Sequence, residues 1–140
     1  MEIKLIDFGL KNMPCRKHIG DAGADVYVEE NICIPACTTV KIPLGFGLEI
    51  PDNLVGFIAP RSSVAAAGLT AELVPIDSGY CGEIHAIVTN NTAEDIQVVA
   101  GQRIAQLLIV PCILATFVKI LPEEATATDR GTTCFGASGR

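Results

Sequence analysis

Five short stretches of this chain carry residue types suited to chemistry on phosphates and rings. Pro60-Arg61-Ser62-Ser63 stands directly before Val64-Ala65-Ala66-Ala67-Gly68, a run of helix formers closed by a glycine. A helix N-terminus offers unpaired N–H groups and the positive end of the macrodipole, so an Arg and two hydroxyls placed there form a cradle for anions. Capping by Ser62 or Ser63, with Arg61 in solvent, is the alternative use of the same residues. In Val74-Pro75-Ile76-Asp77-Ser78-Gly79-Tyr80-Cys81-Gly82-Glu83-Ile84 the pattern predicts a hairpin with one acid and one aromatic ring at its tip. A carboxylate on such a support can act as a general base for water, and it can equally bond the backbone of its own turn.

The other three stretches are less specific when taken singly. Asp21-Ala22-Gly23-Ala24-Asp25-Val26 sets two acids around a tight backbone. Gly101-Gln102-Arg103-Ile104-Ala105-Gln106 is a turn entering an apolar strand with Gln106 embedded, and a buried amide without a partner costs about 1–3 kcal/mol. Arg130-Gly131-Thr132-Thr133-Cys134-Phe135-Gly136-Ala137-Ser138-Gly139 supplies an Arg, a ring and flexible glycines, the composition of a lid, or of a free tail.

The elements that must hold these residues are short and rich in β-branched or aromatic side chains. Strands are predicted at Asp25–Val28, Thr39–Ile42, Phe46–Ile50, Val55–Ile58, Glu83–Thr89, Ile96–Val99, Ile104–Val110 and Phe117–Ile120, with Pro, Asn, Asp and Gly between them. This spacing points to an all-β barrel or sandwich with one short helix at 63–68. One domain fits the 140 residues, with a core over about 1–122 and a C-terminal arm over about 123–140.

Composition narrows the function class. Hydrophobic residues make up 49% and charged residues 19%, and there is no Trp, so the core is aliphatic and ordered. A net charge of -6 excludes a protein that holds duplex DNA by phosphate neutralisation, but not one with a local anion site. Neither a secretory signal nor an apolar run long enough for a bilayer is visible, which gives a soluble, cytoplasmic protein as the expectation. The six cysteines read as reduced thiols buried like small hydrophobes; Cys33 and Cys37 lack a second pair for zinc. His18 and His85 read as surface or satisfied core residues.

Taken together and in order, the five stretches resemble the motifs of the trimeric dUTPase family: Ala22-Gly23-Ala24-Asp25, Pro60-Arg61-Ser62-Ser63, Ile76-Asp77 with Tyr80 and Gly82, Gly101 to Gln106, and Arg130-Gly131 with Phe135-Gly136 and Gly139. The resemblance spans essentially the whole length. It implies a jelly-roll β-barrel, a homotrimer with sites shared between subunits, and hydrolysis of dUTP to dUMP and pyrophosphate, which limits uracil in DNA and supplies dUMP for thymidylate synthesis. By the same likeness Asp77 activates the water that attacks the α-phosphorus. Arg61, Ser62, Ser63 and Gln106 hold phosphates, while Asp25 positions Mg²⁺ through water. Ile76, Tyr80 and Gly82 shape the nucleoside pocket, Tyr80 excluding a 2′-hydroxyl. Arg130, Phe135, Gly136 and Ser138 close the site from another subunit.

The chain departs from the family pattern at several positions. Pro75 has no N–H to offer the base. Cys81 stands where the family has Arg, Thr133 and Cys134 where it has glycines, and Ala137 where it has Ser. A dCTP deaminase, the nearest alternative, needs a proton-shuttling Glu three residues before Asn90, where this chain has Ile87. A nucleotide-binding regulatory module without turnover is the other alternative, and the altered tail is what favours it.

Overall fold

Short antiparallel strands pair into four sheets in a computed structural model that describes residues 1–128 and residue 131. Strand β1 (Lys4–Asp7) pairs with β5 (Phe46–Glu49), and β3 (Ile32–Ile34) with β10 (Ile96–Val98). A third sheet runs in the order β2 (Ala24–Tyr27), β11 (Arg103–Pro111), β6 (Leu54–Pro60), β8 (Pro75–Ile76). A fourth is β4 (Thr39–Pro43), β9 (His85–Asn90), β7 (Leu69–Ala71). The all-β expectation with one short helix holds. Among the described residues the four sheets are not hydrogen-bonded into a closed barrel.

Alternation decides which face each strand buries. In β9, Ala86, Val88 and Asn90 are fully buried while His85, Ile87 and Thr89 face outward. The inward residues join Val26, Val28, Ile34, Ile42, Leu44, Phe46, Ile58 and Ile104 in one aliphatic core. Asn90 is the polar member, and all its capacity is used. Its Nδ2 donates to the Ile34 and Glu94 carbonyls at 2.9 and 2.8 Å, and its Oδ1 accepts from the Thr92 N–H and hydroxyl at 2.9 and 2.8 Å. A buried amide satisfied in this way ties β9 to β3 and to the turn at 92–94.

Several expectations are corrected. The helix α1 covers Ser62–Ala66; it starts before Ser63, and its N-cap is Arg61, with no side-chain cap. Phe117–Ile120 is not a strand. These residues find no pairing partner among the described residues, and Phe117 is 94% exposed. The stretch 75–84 is not a hairpin, because β8 pairs with β6 while β9 pairs with β4 and β7, so the segment crosses between sheets. The five cysteines among the described residues are not buried: Cys15, Cys33, Cys37 and Cys81 are exposed and Cys112 is intermediate, all as free thiols. His85 and His18 both lie at the surface. No helix among the described residues is long and apolar enough to cross a membrane.

Candidate active site

The β2-β11-β6 order brings together stretches that lie far apart in sequence. Asp25 on β2 faces Gln106 on β11, and Gln106 faces Ala59 on β6, one step before the Pro60–Ser63 corner. An isolated bridge to Cys15, with N–H···O distances of 3.1 and 2.8 Å, holds the outer side of Asp25. Lys17, Asp21, Ala22, Gly23, Asp25, Arg61, Ser62, Ser63, Arg103 and Gln106 line one polar cleft of about 270 Å³.

Asp25 is the centre of that cleft's electrostatics. Its Oδ1 lies 2.6 Å from Arg61 Nε and its Oδ2 3.1 Å from Arg103 Nη1, and its side chain is 15% exposed. A partly desolvated carboxylate held by two guanidinium groups is both neutralised and immobilised. Arg103 received no role from the sequence. In a regular strand Arg103 and Gln106, three residues apart, would face opposite ways. The β11–β2 register slips between Arg103 and Ala105, and this irregularity turns both into the cleft.

Gln106 finds the partner that its position demands, its Nε2 donating to the Pro60 carbonyl at 2.9 Å. A Cβ on Gly23 would meet the Gln106 side chain, its Cδ at 2.8 Å, so the bare backbone of Gly23 is what lets Gln106 cross the cleft floor. Asp21 bonds the His18 N–H at 2.9 Å, which holds its carboxyl below the usual carboxylate range.

A second cleft, of about 390 Å³, lies on the outer face of the β4-β9-β7 sheet. Ile58, Val74, Pro75, Ile76, Ile84 and Ile87 give it an apolar lining, with Lys41, Glu72, Asp77, Tyr80, Glu83 and His85 around them. The Asp77 carboxylate makes no hydrogen bond or ion pair among the described residues, so the turn does not consume it; the turn bond is from Tyr80 N–H to the Asp77 carbonyl, at 3.2 Å. The Tyr80 hydroxyl donates to the Glu83 carbonyl at 3.1 Å. Gly82 does not line the cleft, yet a Cβ there would lie 2.7 Å from Tyr80 Oη, so it leaves room for the ring. Lys41, Glu72, Glu83 and His85 are lining residues that the sequence reading missed. Lys41 and His85 are polar residues on the outward faces of β4 and β9, while Glu72 and Glu83 stand just after β7 and before β9.

The two clefts have no lining residue in common. Asp25, Arg61, Ser62, Ser63 and Gln106 share one; Ile76, Asp77 and Tyr80 share the other. Arg130, Phe135, Gly136 and Ser138 lie outside the described residues.

The family model for dUTPase matches residues 10–139. The chain belongs to the dUTPase family. It is 36% identical to a deoxyuridine 5'-triphosphate nucleotidohydrolase of Leifsonia xyli, over 92% of this chain and 86% of the relative. It is 39% identical to that of Tropheryma whipplei, over 91% and 88%. The dUTPase of Staphylococcus bacteriophage 80alpha, solved with dUpNHpp, superposes with a TM-score of 0.88 at 27% identity, covering 99% of each chain. The dUTPase of phage phi11 of S. aureus, which coordinates a structural Mg(II) ion, is similar in fold, with a TM-score of 0.79 at 24% identity over 86% of this chain and 97% of that one. Membership makes this chain a dUTP-hydrolysing enzyme by class.

Proposed function

We propose that the chain hydrolyses dUTP to dUMP and pyrophosphate, with the nucleoside in the Asp77–Tyr80 cleft of one subunit and the phosphates in the Asp25–Arg61 cleft of another. The carrying observation is the free Asp77 carboxylate at the edge of a cleft of nucleoside size. Ligand sites fall in roughly the 300–1,000 Å³ range.

Asp77 accepts a proton from a water whose oxygen attacks the α-phosphorus. The bond from the α-phosphorus to the bridging oxygen breaks, and pyrophosphate leaves with that electron pair. Arg61, the Ser62 and Ser63 groups and Gln106 hold the triphosphate and offset charge on the leaving group. Tyr80 packs beneath the sugar and leaves no space for a 2′-hydroxyl. Arg130, Phe135, Gly136 and Ser138 complete the site from the arm.

Mg²⁺ fits the polar cleft through water. Asp25 and Asp21 are hard oxygen donors there, but both Asp25 oxygens already meet guanidinium groups, and no cluster of three His, Cys, Asp or Glu exists among the described residues. Such a site suits an ion that keeps most of its water and takes phosphate oxygens, where it supplies charge to the leaving pyrophosphate.

The separation of the clefts and the apolar surface at the end of the described chain both support a homotrimer. Ile113, Leu114, Phe117 and Val118 are 69–94% exposed, and a row of large exposed side chains is a protein contact surface. The protein acts in the cytoplasm on free nucleotide rather than on nucleic acid or at a membrane. Pyrophosphate release with Mg²⁺, comparing dUTP, UTP, dTTP and dCTP, tests the reading. Release from dUTP alone, abolished by chelator, is expected; no release from dUTP overturns it.

A further inference from the structure

The cleft that holds Asp77 is also lined by a cation, Lys41, and an anion, Glu72, and neither side chain has a partner among the described residues. Lys41 on β4 pairs directly with Ile87 on β9. On the other side of Ile87, the Glu72 N–H donates to the Ile87 carbonyl at 2.8 Å, continuing the β7–β9 ladder one residue beyond Ala71. Directly opposed residues in a sheet project to the same face. The face is the outer one, because Ile42, Ala71, Ala86 and Val88 are the buried neighbours. Lys41, Ile87 and Glu72 therefore form one row across three strands, and all three line the cleft.

Adjacent strands lie about 4.8 Å apart, so the Lys41 and Glu72 backbones stand roughly 10 Å from one another with Ile87 between them. A flat aromatic heterocycle laid on the Ile87 side chain falls within reach of both charged groups. Among the described residues neither side chain makes a hydrogen bond or an ion pair, and both are exposed. The neighbouring backbone is also deficient. Pro75, on the wall of the same cleft, lacks an N–H.

We infer that Lys41 and Glu72 read the pyrimidine edge, Lys41 donating to the O4 carbonyl and Glu72 accepting from N3–H, with Ile87 as the apolar floor. This rests on the proposed assignment of the cleft to the nucleoside and adds the side chains that select the base. Cytosine reverses both positions. It would present an amino group to an ammonium and a lone pair to a carboxylate, and mismatches of that kind leave desolvated polar groups unpaired. Side chains thus supply part of the base selection that the backbone at Pro75 does not.

The test is equilibrium binding of dUMP and dCMP to the wild-type chain and to the Lys41→Met, Lys41→Arg and Glu72→Gln variants, alongside dUTP and dCTP turnover. The wild type should prefer dUMP. Lys41→Met and Glu72→Gln should each cut the dUMP-over-dCMP preference at least tenfold, and Lys41→Arg should retain most of it. All three substitutions are on exposed positions, and an unchanged thermal unfolding midpoint certifies the fold. Preference unchanged within twofold in both Lys41→Met and Glu72→Gln overturns the inference while leaving dUTP hydrolysis standing. A wild type that turns over no dUTP, or that converts dCTP to dUTP, overturns the assignment of the cleft as well.

Discussion

Arg61 Nε lies 2.6 Å from Asp25 Oδ1, joining the helix-entry corner after β6 to the middle of β2. Asp25 also meets Arg103, so removing Arg61 leaves the carboxylate one partner instead of two. With the Arg61 and Asp25 side chains only 21% and 15% exposed, Arg61→Met should lower unfolding stability by about 1–3 kcal/mol. It should cut kcat/KM far more than that figure implies if Arg61 holds the phosphates as proposed. Urea unfolding and steady-state rates on one preparation check both halves; an unchanged rate would remove Arg61 from the site.

The Asp77 carboxylate has no hydrogen-bond or ion-pair partner among the described residues, unlike Asp25, Asp21 and Asp7. Asp77→Asn keeps the size of the side chain and removes its ability to accept the proton of water. Turnover should fall by several orders of magnitude while dUTP still binds. A variant retaining a tenth of the normal rate would show that another group is the base.

Asp7 shows the opposite use of a carboxylate, its Oδ1 accepting from the Gly9 and Leu10 N–H groups at 2.8 and 2.9 Å. The Leu10 and then the Gly9 bond hold its carboxyl below the usual range. A lowered carboxylate pKa stabilises the folded chain above the unfolded-state value, about 3.9, and that contribution is lost as pH falls through the folded value. Asp7→Asn should therefore flatten the decline of stability below about pH 4 and leave its neutral-pH slope unchanged. Urea midpoints collected from pH 2.5 to 7 would show it; parallel acid limbs would contradict it.

Phe117 is 94% exposed and Val118 79%. If another copy covers them, Phe117→Glu should convert trimer to smaller species in sedimentation velocity and reduce activity in parallel. A variant that stays trimeric would place the contact elsewhere.

What the sequence made legible was local. The β-branched content of Glu83–Thr89 and the Asn pair after it marked β9, and the lone Gln106 in an apolar strand demanded the partner it has in the Pro60 carbonyl. Residues from four of the five stretches line the two clefts, and the site residues of the fifth lie outside the described residues. What stayed hidden depended on pairing across distance. Phe117–Ile120 has strand composition but no pairing neighbour among the described residues, and composition cannot supply a neighbour. Arg103 escaped notice because a register slip, invisible to a two-residue period, turns it toward Asp25. Lys41 and Glu72 meet only through the order β4-β9-β7, which no local signal encodes. The cysteines misled because their apolar average describes a residue type, whereas the turn at Cys37, with φ of 55°, sets it at the surface.

The absence of any shared lining residue between the two clefts has a kinetic side. If catalysis needs Arg61 of one copy beside Asp77 of another, an isolated chain is a folded but silent half of a catalyst. Specific activity should then fall on dilution, with a steeper than linear dependence of rate on total protein near the dissociation midpoint. An excess of a second, inactive chain should rescue or poison it according to which cleft that chain keeps intact. Mixing Arg61→Met with Asp77→Asn would then restore some turnover from two dead parents, since random assortment joins an intact phosphate cleft to an intact nucleoside cleft.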